Sequence, residues 1–224
     1  MIHIGSLLIG FILQSTAYAA PTWAEVEAVK DWDTLAEKRH KVAGTVSVFN
    51  KEVSGTPCFR AIASTKASPS IMMEVATDII GSMKWSTAGL TRSEVLGRNG
   101  TSIDYLQYVD VPAWTFSSDR FWVLRGTTSQ QGAEHQFTWH RIGENGGPYS
   151  AKFLKVQEET GAIEPPVNVG GWEFIPQEST TLVRYTICTD SGGSVPRGVQ
   201  NMATKTTLPD TVGDLIRESL KRSQ

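Results

Sequence analysis

The stretch TLVRYTICTDSGGSVPRGVQNMATKT, residues 181–206, joins a strand to a helix. Its first part, up to Thr189, is rich in β-branched and aromatic side chains, the composition of a strand. Gly192 and Gly193 then turn the chain, Ser194 can cap a helix and Pro196 can sit in its first turn. The helix that follows offers Val195, Val199, Met202 and Ala203 on one side. Pro209 should kink or restart it. Beyond the proline, Val212, Leu215, Ile216 and Leu220 form a second stripe. The question is what a long amphipathic helix at the end of a chain covers.

Upstream, the chain from Ser93 reads almost wholly as strand. SEVLGR turns at Asn99-Gly100 into TSIDYLQYV, followed by RFWVLRGT, HQFTWHRIG, SAKFLKVQEE, GWEFIPQ and the strand above. Asn99-Gly100-Thr101 is also a glycosylation sequon, but Asn-Gly is a strong hairpin turn and we read it so. Before this run, GTVSVFNKEV and PCFRAIASTKA alternate with period two and form a hairpin through Ser54-Gly55-Thr56-Pro57. Between the two groups, Ser68-Pro69 opens a helix with Met72, Val75, Ala76, Ile79 and Met83 on one face. Thr22 to Lys41 has helical composition, with a break near Asp31. The count is about nine strands, two before the amphipathic helix and seven after, with the short connections of an antiparallel sheet.

Composition suits this α+β reading. The chain has 224 residues, 40% hydrophobic, with a formal net charge of −2. That balance offers no electrostatic draw to nucleic acid. The first twenty residues carry no Asp, Glu, Lys or Arg; Ile4–Leu13 is apolar and Ala17-Tyr18-Ala19 fits a cleavage site. We expect residues 1–19 to be a signal peptide and 20–224 the mature domain, in the periplasm or secreted. No Cys or His cluster has metal-ligand spacing, and no nucleotide-binding or nucleophile-elbow motif is present, so no metal and no cofactor are expected.

Two polar residues interrupt apolar rows. Gln107 shares a pleat face with Ile103, Tyr105 and Val109, and Arg125 shares one with Phe121 and Val123. Either both reach water at strand ends, or both point into a cavity and orient a mostly apolar ligand.

FRAIAS, Trp85, VLGRNGTSIDYLQYVDVPAWTFSSDRFWVLR and above all TTLVRYTICTDSGGSVPRGVQNMATKTTLPDTVGDL resemble the START domain, the StAR-related lipid-transfer family, in an exported bacterial form. The resemblance runs from about Trp23 to the end. It implies a helix-grip fold, a curved antiparallel sheet wrapped around a long C-terminal helix, with a lipid tunnel between them. The family's cavity acid and its arginine partner match Gln107 and Arg125, the arginine kept and the acid replaced by an amide. The resemblance implies a ligand-binding set of Gln107, Arg125, Tyr105, Val123, Trp139, Trp172, Phe174, Tyr185, Val199 and Met202. It implies a monomeric, non-enzymatic carrier of one sterol, phospholipid or fatty-acyl lipid, making transient membrane contact. The alternative is a cyclase/aromatase-like or hydrolytic enzyme using the same cavity, for which His135, His140, Asp104 and Glu173 are the candidate acids and bases. If the aromatics of their strands face inward, His140 and Glu173 face out. In the family's sheet the first strand lies between the second and the last. Cys58 and Cys188 would then be about 9.5 Å apart, beyond disulfide reach, so two free thiols are expected.

Overall fold

A computed structural model of the chain describes residues 20–111, 118–143, 147–190 and 197–224, with side chains in the last segment from 205 onward. The signal-peptide segment and the helix-entry residues Ser194, Val195 and Pro196 lie outside the described residues.

Nine strands form one curved antiparallel sheet. They are β1 (Asp33–His40), β2 (Gly44–Val53), β3 (Thr56–Thr65), β4 (Leu90–Asn99), β5 (Ser102–Val109), β6 (Arg120–Gln131), β7 (Glu134–Arg141), β8 (Val167–Pro176) and β9 (Thr181–Asp190). The order across the sheet is β1-β2-β3-β9-β8-β7-β6-β5-β4. Every neighbour pair but one is consecutive in sequence. The exception, β3 beside β9, closes the N-terminal strands onto the last one. The turns explain the tight hairpins. Ser54 and Gly55 both have positive φ, the requirement of a type I′ turn between β2 and β3. Gly100, not Asn99, takes the first central position between β4 and β5, as in a type II′ turn.

Among the described residues five helices accompany the sheet: α1 (Trp23–Ala28), α2 (Pro69–Thr77), α3 (Ser82–Trp85), α4 (Ser150–Thr160) and α5 (Arg197–Arg222). The main core fills the concave face. There Val46, Val48, Phe59, Ala61, Phe174 and Val183 of the sheet meet Met72 and Val75 of α2 and Leu208, Val212, Leu215 and Ile216 of α5. α5 runs through Pro209 as one helix. Two smaller cores lie behind the sheet. α4 covers Leu106, Phe121 and Val123 with Phe153 and Val156, and α1 covers Cys58, Val169 and Cys188 with Val26.

Four expectations are corrected. Residues 33–40 are an edge strand instead of helix, so three strands precede α2 and six follow it. Residues 150–160 are a helix instead of a strand, ended by Gly161 at φ +67°. The helix after Ser68 stops at Asp78, whose carboxylate accepts from the Gly81 amide at 3.0 Å and from Arg222 of α5 at 2.7 Å. The chain restarts as α3, and Met83 consequently turns outward, 37% exposed. The cysteines are joined. Cys58 and Cys188 face one another in the β3–β9 pair with α-carbons 4.0 Å apart. β1 occupies the far side of β2, which leaves β3 free to pair with β9.

Candidate functional site

The strand pleat decides which side chains reach the concave face. On β5, Tyr105, Gln107 and Val109 point inward; on the directly paired β6, Trp122 and Leu124 do so. β7 adds Phe137 and Trp139, β8 adds Asn168 and Trp172, and β9 adds Tyr185, Ile187 and Thr189. α2, α3 and the segment after them contribute Ala76, Ile79, Ser82, Trp85, Ser86 and Ala88, and α5 contributes Thr211. Together with Leu90 these residues line a half-open cavity of about 350 Å³, within the size range of small-ligand sites.

Glycine makes room for the cavity's aromatic floor. A Cβ at Gly126 would lie 2.4 Å from the Phe137 ring, and one at Gly170 would lie 2.4 Å from the Trp139 ring. Both rings therefore lie down across backbone that has no side chain. The Trp139 indole is fixed by donating to Asn168 Oδ1 at 2.9 Å. On the other face of the same strand, Gly171 admits the Trp23 ring of α1, 2.4 Å from where its Cβ would be.

The roof is tied down by buried polar contacts. Asp214 on α5 is 2% exposed. It accepts from the Thr87 amide at 2.6 Å and the Thr87 hydroxyl at 2.7 Å, and it pairs with Arg217. Arg217 also donates to the Trp85 carbonyl. The cavity-facing segment from Trp85 to Ala88 is thus held to the C-terminal half of α5.

Among the described lining residues there is no Asp, Glu, Lys, Arg, His or Cys. The ionisable groups are two phenols, Tyr105 and Tyr185. Burial pushes both well above the usual tyrosine range, and the neighbouring Tyr185 adds to the rise at Tyr105. The indole N–H groups of Trp85 and Trp122 are buried in the wall without a hydrogen-bond partner.

The structure brings together Gln107, Tyr105, Trp139, Trp172 and Tyr185 from the expected set. Phe174 is fully buried in the main core, stacked on Trp172, and does not line the cavity. Val199 and Met202 lie on α5, but their side chains are outside the described residues. Arg125 and Val123 require correction, because they point to the opposite face of the sheet. Val123 packs under α4. Arg125 forms a two-pronged pair with Asp104, Nε to Oδ1 and Nη2 to Oδ2 both at 2.7 Å, and Tyr149 donates to the same carboxylate at 3.0 Å. The arginine holds the Asp104 carboxyl below the usual carboxylate range. Alternation could not settle the phase of β6, because α4 makes its outer face as apolar as its inner one. Trp85 and Trp122 were not among the expected site residues; Trp122 lies directly opposite Gln107 in the β5–β6 pair.

Three of the acids and bases considered for catalysis, Asp104, His140 and Glu173, are on the outer face, while His135 has the inward phase of Phe137 and Trp139 but does not line the cavity. Asp104 is spent on Arg125, and His140 stands beside that pair. Glu173, 4% exposed, pairs with Arg184 at 2.6 Å. Burial raises the Glu173 carboxyl, and burial pushes the nearby Arg60 guanidinium down to about 10. Arg60 stacks on Trp32, 4.0 Å from its ring centre.

No protein-family model and no curated protein matches the chain. Solved structures do. A STAR-related lipid transfer protein from Xanthomonas axonopodis is 20% identical with a TM-score of 0.67, covering 85% of this chain and 99% of that one. Human StAR-related lipid transfer protein 5 is 14% identical with a TM-score of 0.70, covering 90% and 93%. An aromatase/cyclase, Zhui, from a Streptomyces species is 13% identical with a TM-score of 0.51, covering 75% and 95%. At these identities the likeness shows the fold, the START-type helix grip.

Proposed function

We propose that this chain is a non-enzymatic carrier that encloses one hydrophobic ligand between the sheet and α5. The observation that carries the reading is the cavity wall, which is broad, aromatic and free of charge among its described residues. Each methylene moved from water into such a space gains about 0.8 kcal/mol, so enclosure alone can supply affinity and a few polar groups set orientation. An enzyme in the same cavity would need a positioned acid or base. Asp104, His140 and Glu173 stand behind the sheet and His135 is not among the lining residues, so the carrier is the better reading. Likeness to STAR-related lipid transfer structures supports a lipid as the ligand class.

The Cys58–Cys188 bridge supports an exported location, since disulfides persist in oxidising compartments. With the apolar segment at residues 1–19 it favours a periplasmic or secreted location, in which we take the carrier to act as a monomer that meets membranes transiently. The test is transfer of a fluorescent sterol or phospholipid between donor and acceptor vesicles, followed by mass analysis of the lipid. A carrier accelerates exchange and returns the lipid unchanged. A lipid recovered chemically altered, or no acceleration for any lipid class, would overturn the reading.

A further inference from the structure

We propose that the cavity takes a flat, uncharged ring ligand bearing a carbonyl oxygen, and that the hydroxyls of Tyr105 and Tyr185 meet that oxygen. The inference rests on the carrier reading and narrows its cargo.

Shape is the first argument. The floor is one continuous aromatic strip. Tyr105 stacks on Phe137 at 6.5 Å between ring centres, Phe137 meets Trp139 at 5.9 Å, Trp139 meets Tyr185 at 5.9 Å, and Tyr185 meets Trp172 at 4.3 Å. Trp122 extends the wall on β6, and Trp85 adds a further indole from α3. Aromatic faces gain most from another ring laid against them in an offset or edge-on arrangement. A rigid ring also gives up little conformational freedom on enclosure, whereas a saturated chain must freeze many torsions to lie along such a surface. Gly126 and Gly170, where any side chain would strike the strip, keep it open.

Polarity is the second argument. Several polar lining groups are already engaged within the protein, whereas the Trp85 and Trp122 indole N–H groups are free donors in the wall. Ser82 donates to the Ile79 carbonyl, Thr189 to that of Val167 and Thr211 to that of Thr207, while Asn168 receives Trp139. No hydrogen bond from another described residue engages the side chain of Tyr105, Gln107 or Tyr185. Burial keeps both phenols protonated, so each remains an O–H donor. A carbonyl oxygen has two lone pairs and can accept from such a hydroxyl. A carboxylate or phosphate would be buried against a wall with no cation among its described residues, which is costly.

The experiment offers the delipidated mature protein an equimolar mixture of four probes. These are fluorenone, fluorene (the same rings without oxygen), a fluorenone carboxylate and methyl laurate. Occupancy is read by native mass spectrometry, and the affinities of fluorenone and fluorene are titrated separately by tryptophan quenching. Fluorenone should dominate. Tyr105→Phe and Tyr185→Phe keep the rings and delete the hydroxyls; each should weaken fluorenone by about three- to ten-fold and leave fluorene unchanged. The double variant should bring the two to parity. Equal losses for fluorenone and fluorene, no loss for either, or dominance of the carboxylate would overturn the assignment. So would uptake and vesicle transfer of methyl laurate without fluorenone, which would leave the carrier reading standing. If no probe binds and no vesicle lipid moves, both fall.

Discussion

At the scale of single residues, the cavity row and the outer row of β5 and β6 differ by one position, and that position decides what Arg125 does. Tyr105 and Gln107 were legible as one row, because period two on a single strand is secure. The phase of β6 was not, because Phe121 and Val123 pack under α4 as tightly as Trp122 and Leu124 pack inward. The Asp104–Arg125 pair therefore belongs to the fold's outer surface. Arg125 is 42% exposed there, so the pair is worth only about 0.2–1 kcal/mol. Asp104's carboxyl is depressed in the folded state, mainly by its bonds to Arg125. Its contribution is present above the unfolded carboxyl value of about 3.9 and is lost as pH falls through the lower folded value. Arg125→Leu should therefore cost no more than about 1 kcal/mol at neutral pH. The deficit should close as the protein is acidified, as read by urea unfolding at a series of pH values. Ligand affinity should not change. A variant with unchanged stability and altered ligand selectivity would put Arg125 back inside the cavity.

At the scale of elements, two segments exchanged the identities their compositions suggest. DTLAEKRH, rich in helix formers, is the edge strand β1, and its pairing with β2 overrides propensity. Its charges are what an edge strand carries to discourage further pairing, so an edge reads like the wet face of a helix. SAKFLKVQEET is α4, and Phe153 and Val156 are its contacts with the sheet. Its Lys, Gln and Glu favour helix, and an alternation in its first residues mimics strand. Elements bounded by local chemistry were legible: the Ser68 cap accepts from the Ile71 amide, and Pro69 takes the first turn. The glycines of β8 were silent in sequence because their role is set by rings from other elements. Gly170→Ala would drive a methyl into Trp139, with the Thr186 carbonyl 2.8 Å away on the other strand, so neither strand can yield cheaply. We expect a loss of about 1–3 kcal/mol together with reduced ligand occupancy. Gly171→Ala meets the Trp23 ring first, on a short N-terminal helix at the outer face, so its loss should be smaller and occupancy should hold. Denaturant midpoints and native mass spectra of the two variants separate these outcomes, and equal losses in both properties would contradict the account of two rings on two faces.

At the scale of the whole molecule, the sheet is a series of local hairpins closed by one distant seam. β3 and β9 are separated in sequence by most of the domain, and their pairing joins the N-terminal strands to the last one. Cys58 and Cys188, 130 positions apart, lie in that seam. The free-thiol expectation failed because the edge strand went unread: with β1 beside β2, the hairpin presents β3 to β9. A cross-link over so long a loop acts mainly on the unfolded chain, by removing states in which the ends are far apart; for loops near this size that entropy is about 4–5 kcal/mol, and measured losses run about 2–5. Non-reduced peptide mapping of the native protein should therefore recover the two cysteines in one linked peptide. A mature N-terminus at or near Ala20 should accompany it if the chain is exported. Reduction, or the paired Cys58→Ala and Cys188→Ala change, should lower unfolding free energy by about 2–5 kcal/mol. The folded structure should persist, because Val26, Val53 and Val169 still pack around both positions. The loss should appear as a shift in denaturant midpoint with the near-ultraviolet tryptophan signal of the folded state retained. A variant as stable as the parent would mean that the seam is held by its strand pairing alone, with the cross-link contributing nothing to the grip.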